Sequence, residues 1–109
     1  GYAPQFKRDL KRLHKKYRSV DRDIETLIDQ LQNGETPGDQ MQGAGYTVYK
    51  VRLRSSDLAR GKSGGYRAIY YIRTPERIIL VTLYIKTEQS DINTDEIKRL
   101  IDELETPSE

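Results

Sequence analysis

"ARGKSGGYRAIYY", residues 59–71, decides between two folds. A Gly-Lys-Ser beside a glycine pair suggests a phosphate loop. That loop needs Gly, four residues, then Gly-Lys-Ser/Thr, and a helix behind it whose first amides face the phosphate. Counting back from Gly61, the position of the first glycine is held by Ser56. Downstream, Tyr66–Arg73 is rich in Tyr and Ile and reads as a strand, not a helix. The segment is a loop running into a strand, and Lys62 and Arg67 need another purpose.

The flanking sequence keeps the same character. Thr47–Arg54 alternates, with Tyr49, Val51 and Leu53 on one face and Lys50, Arg52 and Arg54 on the other. Arg77–Lys86 is a third strand, joined to Tyr66–Arg73 by a turn at Thr74-Pro75-Glu76. Upstream, Phe6, Leu10, Leu13 and Tyr17 fall on one helical stripe. Val20, Ile24, Leu27, Ile28 and Leu31 form the stripe of a second helix, with Ser19 as expected N-cap and Gly34 as left-handed terminator. Residues 35–45, dense in Gly and Pro and without period, read as a loop. A last helix is announced by Asn93 as N-cap, Glu96 three residues on, and Ile92 with Ile97 as a hydrophobic staple. The expected fold class is α+β: two N-terminal helices packed on a small antiparallel sheet, with a C-terminal helix on the same face.

The chain has 109 residues, 33% of them charged, which suits a single domain spanning residues 1–109 with a modest core. No cysteine is present, which excludes disulfides and thiolate metal sites and fits a reducing cytoplasm. No apolar run approaches a membrane span and no signal-peptide core opens the chain, so a cytoplasmic location is expected. The net charge of +2 hides a segregation. From Lys7 to Arg18 seven basic residues face Asp9 alone, and nine between Tyr46 and Lys86 face Asp57 and Glu76. The tail from Glu88 onward is acidic. Such segregation points to a polyanionic partner for the basic region.

Alternation gathers the basic residues. If Ile79, Val81, Leu83 and Ile85 face the core, then Thr82, Tyr84 and Lys86 point outward. If Ala68, Tyr70 and Ile72 are core, Arg67, Ile69 and Tyr71 share the outward face. Lys50, Arg52, Arg54, Arg67 and Lys86 would then line one open sheet surface with Tyr84 among them, flanked by the loop carrying Arg60 and Lys62. Like charges side by side on a strand face repel, so the cluster is costly unless an anion sits there. Guanidinium groups take phosphates in pairs of hydrogen bonds and tyrosines stack on unpaired bases, which suits RNA. Lys11 and Lys15 on the first helix would add attraction to RNA. His14 reads as a solvated surface histidine. Without cysteine or clustered histidine no metal site is expected, and the acidic tail lacks a glycine-centred calcium loop.

"VYKVRLRSSDLARGKSGGYRAIYYI" followed by "IILVTLYIKTEQSDI" resembles the RelE/ParE superfamily of bacterial toxins, especially its HigB/RelE-like branch. The most specific elements are the GKSGGYR–IYY segment and the Tyr-x-Lys ending the last strand. The resemblance extends from "YAPQFKRDL" to the last helix and implies a RelE-like fold that opens with a strand. Only Gly1-Tyr2-Ala3 stands before Pro4, so that strand is expected to be shortened.

The resemblance further implies ribosome-dependent cleavage of mRNA in the ribosomal A site. The substrate's own 2′-hydroxyl attacks the adjacent phosphate, and neither a metal nor a small-molecule cofactor takes part. Ribosomal RNA and a cognate antitoxin protein are the implied partners, and no membrane is involved. By position, Lys50, Arg52 and Arg54 match the family's basic strand, Arg67 its Gly-Tyr-Arg arginine, and Lys86 the basic end of the last strand. On this basis Arg52, Arg54 and Arg67 would bind phosphate and transition state, and Lys50 and Lys86 would supply electrostatic activation. Several relatives carry a tyrosine after the last strand, and none follows Lys86 here. Tyr84 is the nearest candidate for base or stacking; were it buried, Glu88 or Lys50 would take the role of base. Two competing readings remain: a non-enzymatic ParE-like toxin that binds a protein such as DNA gyrase, and an inactive family member.

Overall fold

The structure is a computed structural model of the chain and describes residues 1–57 and 65–106. Helix α1 (Pro4–Lys16) begins with its proline in the first turn, where the missing N–H has no partner to lose. It buries Phe6 and Leu13, and Tyr17 follows as its C-terminal cap. Helix α2 (Val20–Gln32) closes at Gly34, whose φ of +86° suits a residue without a Cβ. The Gly34 N–H donates to the Leu31 carbonyl at 3.1 Å and the Glu35 N–H to that of Gln30 at 2.9 Å, which satisfies two end carbonyls. Ser19 stands at the start of α2, but its side chain does not cap it. Instead its own N–H donates to Asp57 at 2.6 Å, while Asp23 accepts from the Ser56 N–H at 2.9 Å. The start of α2 is thereby tied to the chain leaving the sheet.

Four strands follow: β1 (Asp39–Met41), β2 (Val48–Leu53), β3 (Tyr66–Thr74) and β4 (Arg77–Ile85). They form one antiparallel sheet in that order. β1 lies inside the stretch expected to be a loop. Its three residues are largely exposed, so no periodicity marks them, and pairing with Val48–Lys50 alone makes them a strand. The strand after "GKSGG" is confirmed, with no helix behind the glycines. Gly65, at φ +117°, lies so close to β2 that a Cβ there would fall 2.3 Å from the Leu53 carbonyl oxygen.

The outer edge of β4 is closed by two devices. The opening residues run parallel to it: the Ala3 N–H donates to the Leu80 carbonyl at 2.8 Å, and the Leu80 N–H to that of Gly1 at 2.9 Å. Farther along, buried Asp9 of α1 accepts from the Leu83 N–H at 3.0 Å and from the Thr82 hydroxyl at 2.6 Å. Strand edges left unpaired invite other chains, and here a side chain completes the edge.

Helix α3 (Thr94–Glu105) starts as expected, with Asn93 accepting from the Glu96 N–H at 2.9 Å. Its position corrects the expectation of a single covered face. Phe6, Leu13, Val20, Ile24 and Leu27 of α1 and α2 pack with Val51, Leu53, Tyr66, Ala68, Tyr70, Leu80, Leu83 and Ile85. Ile97, Leu100 and Ile101 of α3 pack with Val48, Ile69, Tyr71, Val81 and Tyr84, the opposite set. The sheet is a middle layer. The assignment of Ile79 and Val81 to the α1–α2 core is also corrected. Ile69 pairs with Thr82 but Tyr70 with Leu80, so Val81 is the extra residue of a bulge. Beyond it the alternation of β4 is inverted: Leu80 joins the α1–α2 side, and Ile79 packs with the α3 cluster.

Candidate nucleic-acid interface

Strand register builds the site. Arg52 pairs with Arg67 and Arg67 with Tyr84, a row of three side chains across β2, β3 and β4 on the α3 side of the sheet. Lys50 stands two residues from Arg52 on the same face, opposite Ile69, and Lys86 follows the last residue of β4. The side chains of Lys50 and Lys86 reach toward one carboxylate, that of Asp91, with ammonium-to-oxygen distances of 3.8 and 3.7 Å. The Tyr84 hydroxyl donates to the other oxygen of that carboxylate at 2.9 Å. Asp91 was grouped by composition with the acidic tail. Nothing in its local sequence separates it from the other acids; only the turn from β4 into α3 returns it over the strand ends.

Arg67 is 5% exposed, and its Nη1 has no hydrogen-bond partner among the described residues. An unmade hydrogen bond on a buried group costs about 1–3 kcal/mol, more when the group is charged. A buried guanidinium with a vacant donor is poor structural material and good anion-binding material.

Tyr84 departs from its expected role. It is 1% exposed because α3 covers it, so its ring cannot stack on a base. Burial, reinforced by the Asp91 hydrogen bond, pushes the phenol up to about 12, which keeps it a proton donor. Glu88 is also engaged elsewhere. Its carboxylate accepts from Lys16 at 2.7 Å and from the Tyr17 hydroxyl at 2.6 Å, and these bonds hold it below the usual glutamate range. Of the three residues considered for that role, Lys50, half-buried, is the one that stands at the row, and there its ammonium group faces the Asp91 carboxylate.

The remaining candidates scatter. Arg54 is exposed and lines a cleft of about 570 Å³ between α2 and β2, with Arg22 and Asp23 on its other wall; exposed Arg52, at the end of the row, borders the same cleft. Lys11 and Lys15 are exposed on α1, in the layer across the sheet from Arg67, beside His14. His14 is a surface residue whose Nδ1 lies 3.2 Å from Asp21. Arg60 and Lys62 lie outside the described residues. Among the described residues, no three His, Cys, Asp or Glu side chains cluster as metal ligands would, and no helix is long and apolar enough to cross a membrane.

The arrangement offers a buried arginine with one donor unpartnered among the described residues, and two ammonium groups and a protonated phenol gathered on one carboxylate. Over residues 5–104 the sequence matches the family described as the RelE toxin of the RelE / RelB toxin-antitoxin system, a family whose members have a cognate antitoxin as partner. With nearly its whole length matched, the chain belongs to the RelE toxin family.

Proposed function

We propose that the protein is a ribosome-dependent mRNA endoribonuclease of the HigB-like branch, acting without a metal ion and restrained by its antitoxin. The observation that carries this reading is the Arg52–Arg67–Tyr84 row, with Lys50 and Lys86 at its end. Cleavage by the substrate's own 2′-hydroxyl requires few parts. The 2′-oxygen attacks the adjacent phosphorus and its proton passes to a base. The bond to the 5′-oxygen breaks and that oxygen takes up a proton, leaving a 2′,3′-cyclic phosphate and a free 5′-hydroxyl.

Negative charge gathers on the phosphoryl oxygens in the transition state, and fixed donors in a water-poor site stabilise it. Arg67 fills that role, with Arg52 reaching the backbone from the exposed end of the row. Lys50 and Lys86 supply electrostatic activation beside the reacting phosphate, and Tyr84 supplies a hydroxyl that stays protonated. Arg54, Arg60 and Lys62 would hold the neighbouring nucleotides, and Lys11 and Lys15 ribosomal RNA.

The test is induced expression of the wild-type chain and of Arg67→Ala, scored for growth arrest and for cleavage of translated mRNA. Cleavage by the wild type and its loss in Arg67→Ala are expected. Equal growth arrest by both chains with no mRNA cleavage would replace the nuclease with a toxin that binds a protein target such as gyrase.

A further inference from the structure

Asp91 is an odd neighbour for a phosphate. A phosphodiester brought to Arg67, Lys50 and Lys86 arrives where a carboxylate already sits, and two anions do not share one seat without strong repulsion. The Asp91 side chain is 39% exposed, while Arg67 below it is 5% exposed, so the carboxylate lies on the solvent side of the cluster. Its Oδ1 accepts from Tyr84, and its Oδ2 faces both lysines, the pattern of contacts that two phosphoryl oxygens would make. The Tyr84 hydrogen bond and, after it, the charges of Lys50, Lys86 and Arg67 hold its carboxyl below the usual aspartate range. It sits on the connection between β4 and α3, outside both elements, where moving it breaks no ladder or helix bond.

We propose that Asp91 is a built-in competitor for RNA: in the free protein its carboxylate occupies the seat between Lys50, Lys86 and Arg67 that a phosphodiester takes on binding. This rests on the cluster being a phosphate site, as proposed above. The vacant Nη1 of Arg67 is the second sign that the seat is built for more than Asp91, since the carboxylate in place leaves that donor unused. A tethered competitor acts at a high effective concentration, so it lowers affinity for every phosphodiester by the same factor, and only ligands with enough further contacts still bind at a given concentration. RNA presented in register, with several nucleotides already gripped, displaces it; a stray phosphate does not.

The experiment is an NMR titration with a short single-stranded RNA carrying 2′-O-methyl riboses, which bind but cannot be cleaved. Asp91→Asn should bind roughly tenfold tighter than the wild type, and Asp91→Glu close to the wild type. Because Asp91→Asn adds a net positive charge to the seat, its log K against log salt should steepen by about 0.7. In the wild type, saturation with RNA should shift the Asp91 carboxyl carbon resonance to that of an unpaired aspartate, a readout that needs no variant to fold. If Arg67→Ala abolishes binding but Asp91→Asn binds no tighter and the carboxyl resonance stays put, the competitor is overturned and the phosphate site stands. If RNA binds all chains equally, or none up to millimolar concentration, there is no seat to compete for and the competitor falls; mRNA cleavage on expression then judges the nuclease separately.

Discussion

Strand β3 faces two environments. Tyr66, Ala68 and Tyr70 enter the core beneath α1 and α2 among apolar and aromatic side chains. Arg67, Ile69 and Tyr71 alternate with them and face the α3 side. Ile69 and Tyr71 there are ordinary core, while Arg67 is a buried cation with an unfilled donor. The two sides are about equally buried, so burial does not distinguish them; polar satisfaction does. On the α1–α2 side even the Tyr70 hydroxyl has a partner, the Pro37 carbonyl at 2.5 Å. On the α3 side Arg67 Nη1 and Glu105 Oε1 have no hydrogen-bond partner among the described residues, and for Arg67 the proposed phosphate site supplies the reason.

The contrast can be broken most forcefully at Tyr70. Its ring is 0% exposed and stacks on Tyr49 with centroids 5.3 Å apart. Tyr70→Ala should cost about 3–5 kcal/mol in urea unfolding, enough to unfold a large share of so small a domain. Three positions away, Arg67→Ala should do the reverse. Cleavage of translated mRNA should drop by about 10²–10³, the size of a lost transition-state donor, while the urea midpoint holds or rises. A collapse of stability in Arg67→Ala would make the arginine part of the scaffold. Lys15→Ala removes the same charge from α1 and should change cleavage by well under about 1 kcal/mol, since an exposed cation is screened.

Tyr84→Phe sharpens the comparison inside the site. On the proposed reading Tyr84, its phenol pushed up to about 12, serves as a donor and not as the base, so loss of the hydroxyl should lower cleavage by no more than about tenfold. A loss of about 10³ or more, the scale of a missing general base, would restore Tyr84 to that role. A smaller effect concerns the helix that covers the site. Asn93→Ala removes the α3 cap and should cost about 1 kcal/mol in unfolding, without altering cleavage by a population that remains folded.

The smallest effect lies in acid. Glu88 and Asp91 both have folded values held below their ordinary 4.5 and 3.8. A depressed carboxyl contributes stability that is full above its unfolded value and lost as pH falls through the folded one. Stability should therefore fall on acidification below about pH 4.5, and Glu88→Gln should flatten that fall by removing the Lys16 and Tyr17 tie. Urea midpoints of the two chains at neutral and acid pH check it.

The periodic elements were legible because each carries its own signal. The apolar stripes of α1 and α2, the Asn93 cap and the alternation of β2 are local patterns that local hydrogen bonding and one-sided burial impose. β1 escaped because three exposed residues have no period to show. Register errors in β4 arose at Val81, since a bulge inverts every later assignment and leaves no trace in composition.

Residue order by itself determined that the segment after Gly65 is a strand rather than a helix, that three helices accompany an antiparallel sheet, and that Lys50 and Arg52 share a face of their strand. Those follow from steric limits and from the two-residue period of a strand, which operate within a few neighbours. Only the tertiary structure decided that α3 crosses to the second face, that Tyr84 is sealed beneath it, and that Asp91 returns over Arg67. Each of these depends on where a connection carries the chain, and contacts between residues far apart in sequence are chosen by the packing of whole elements.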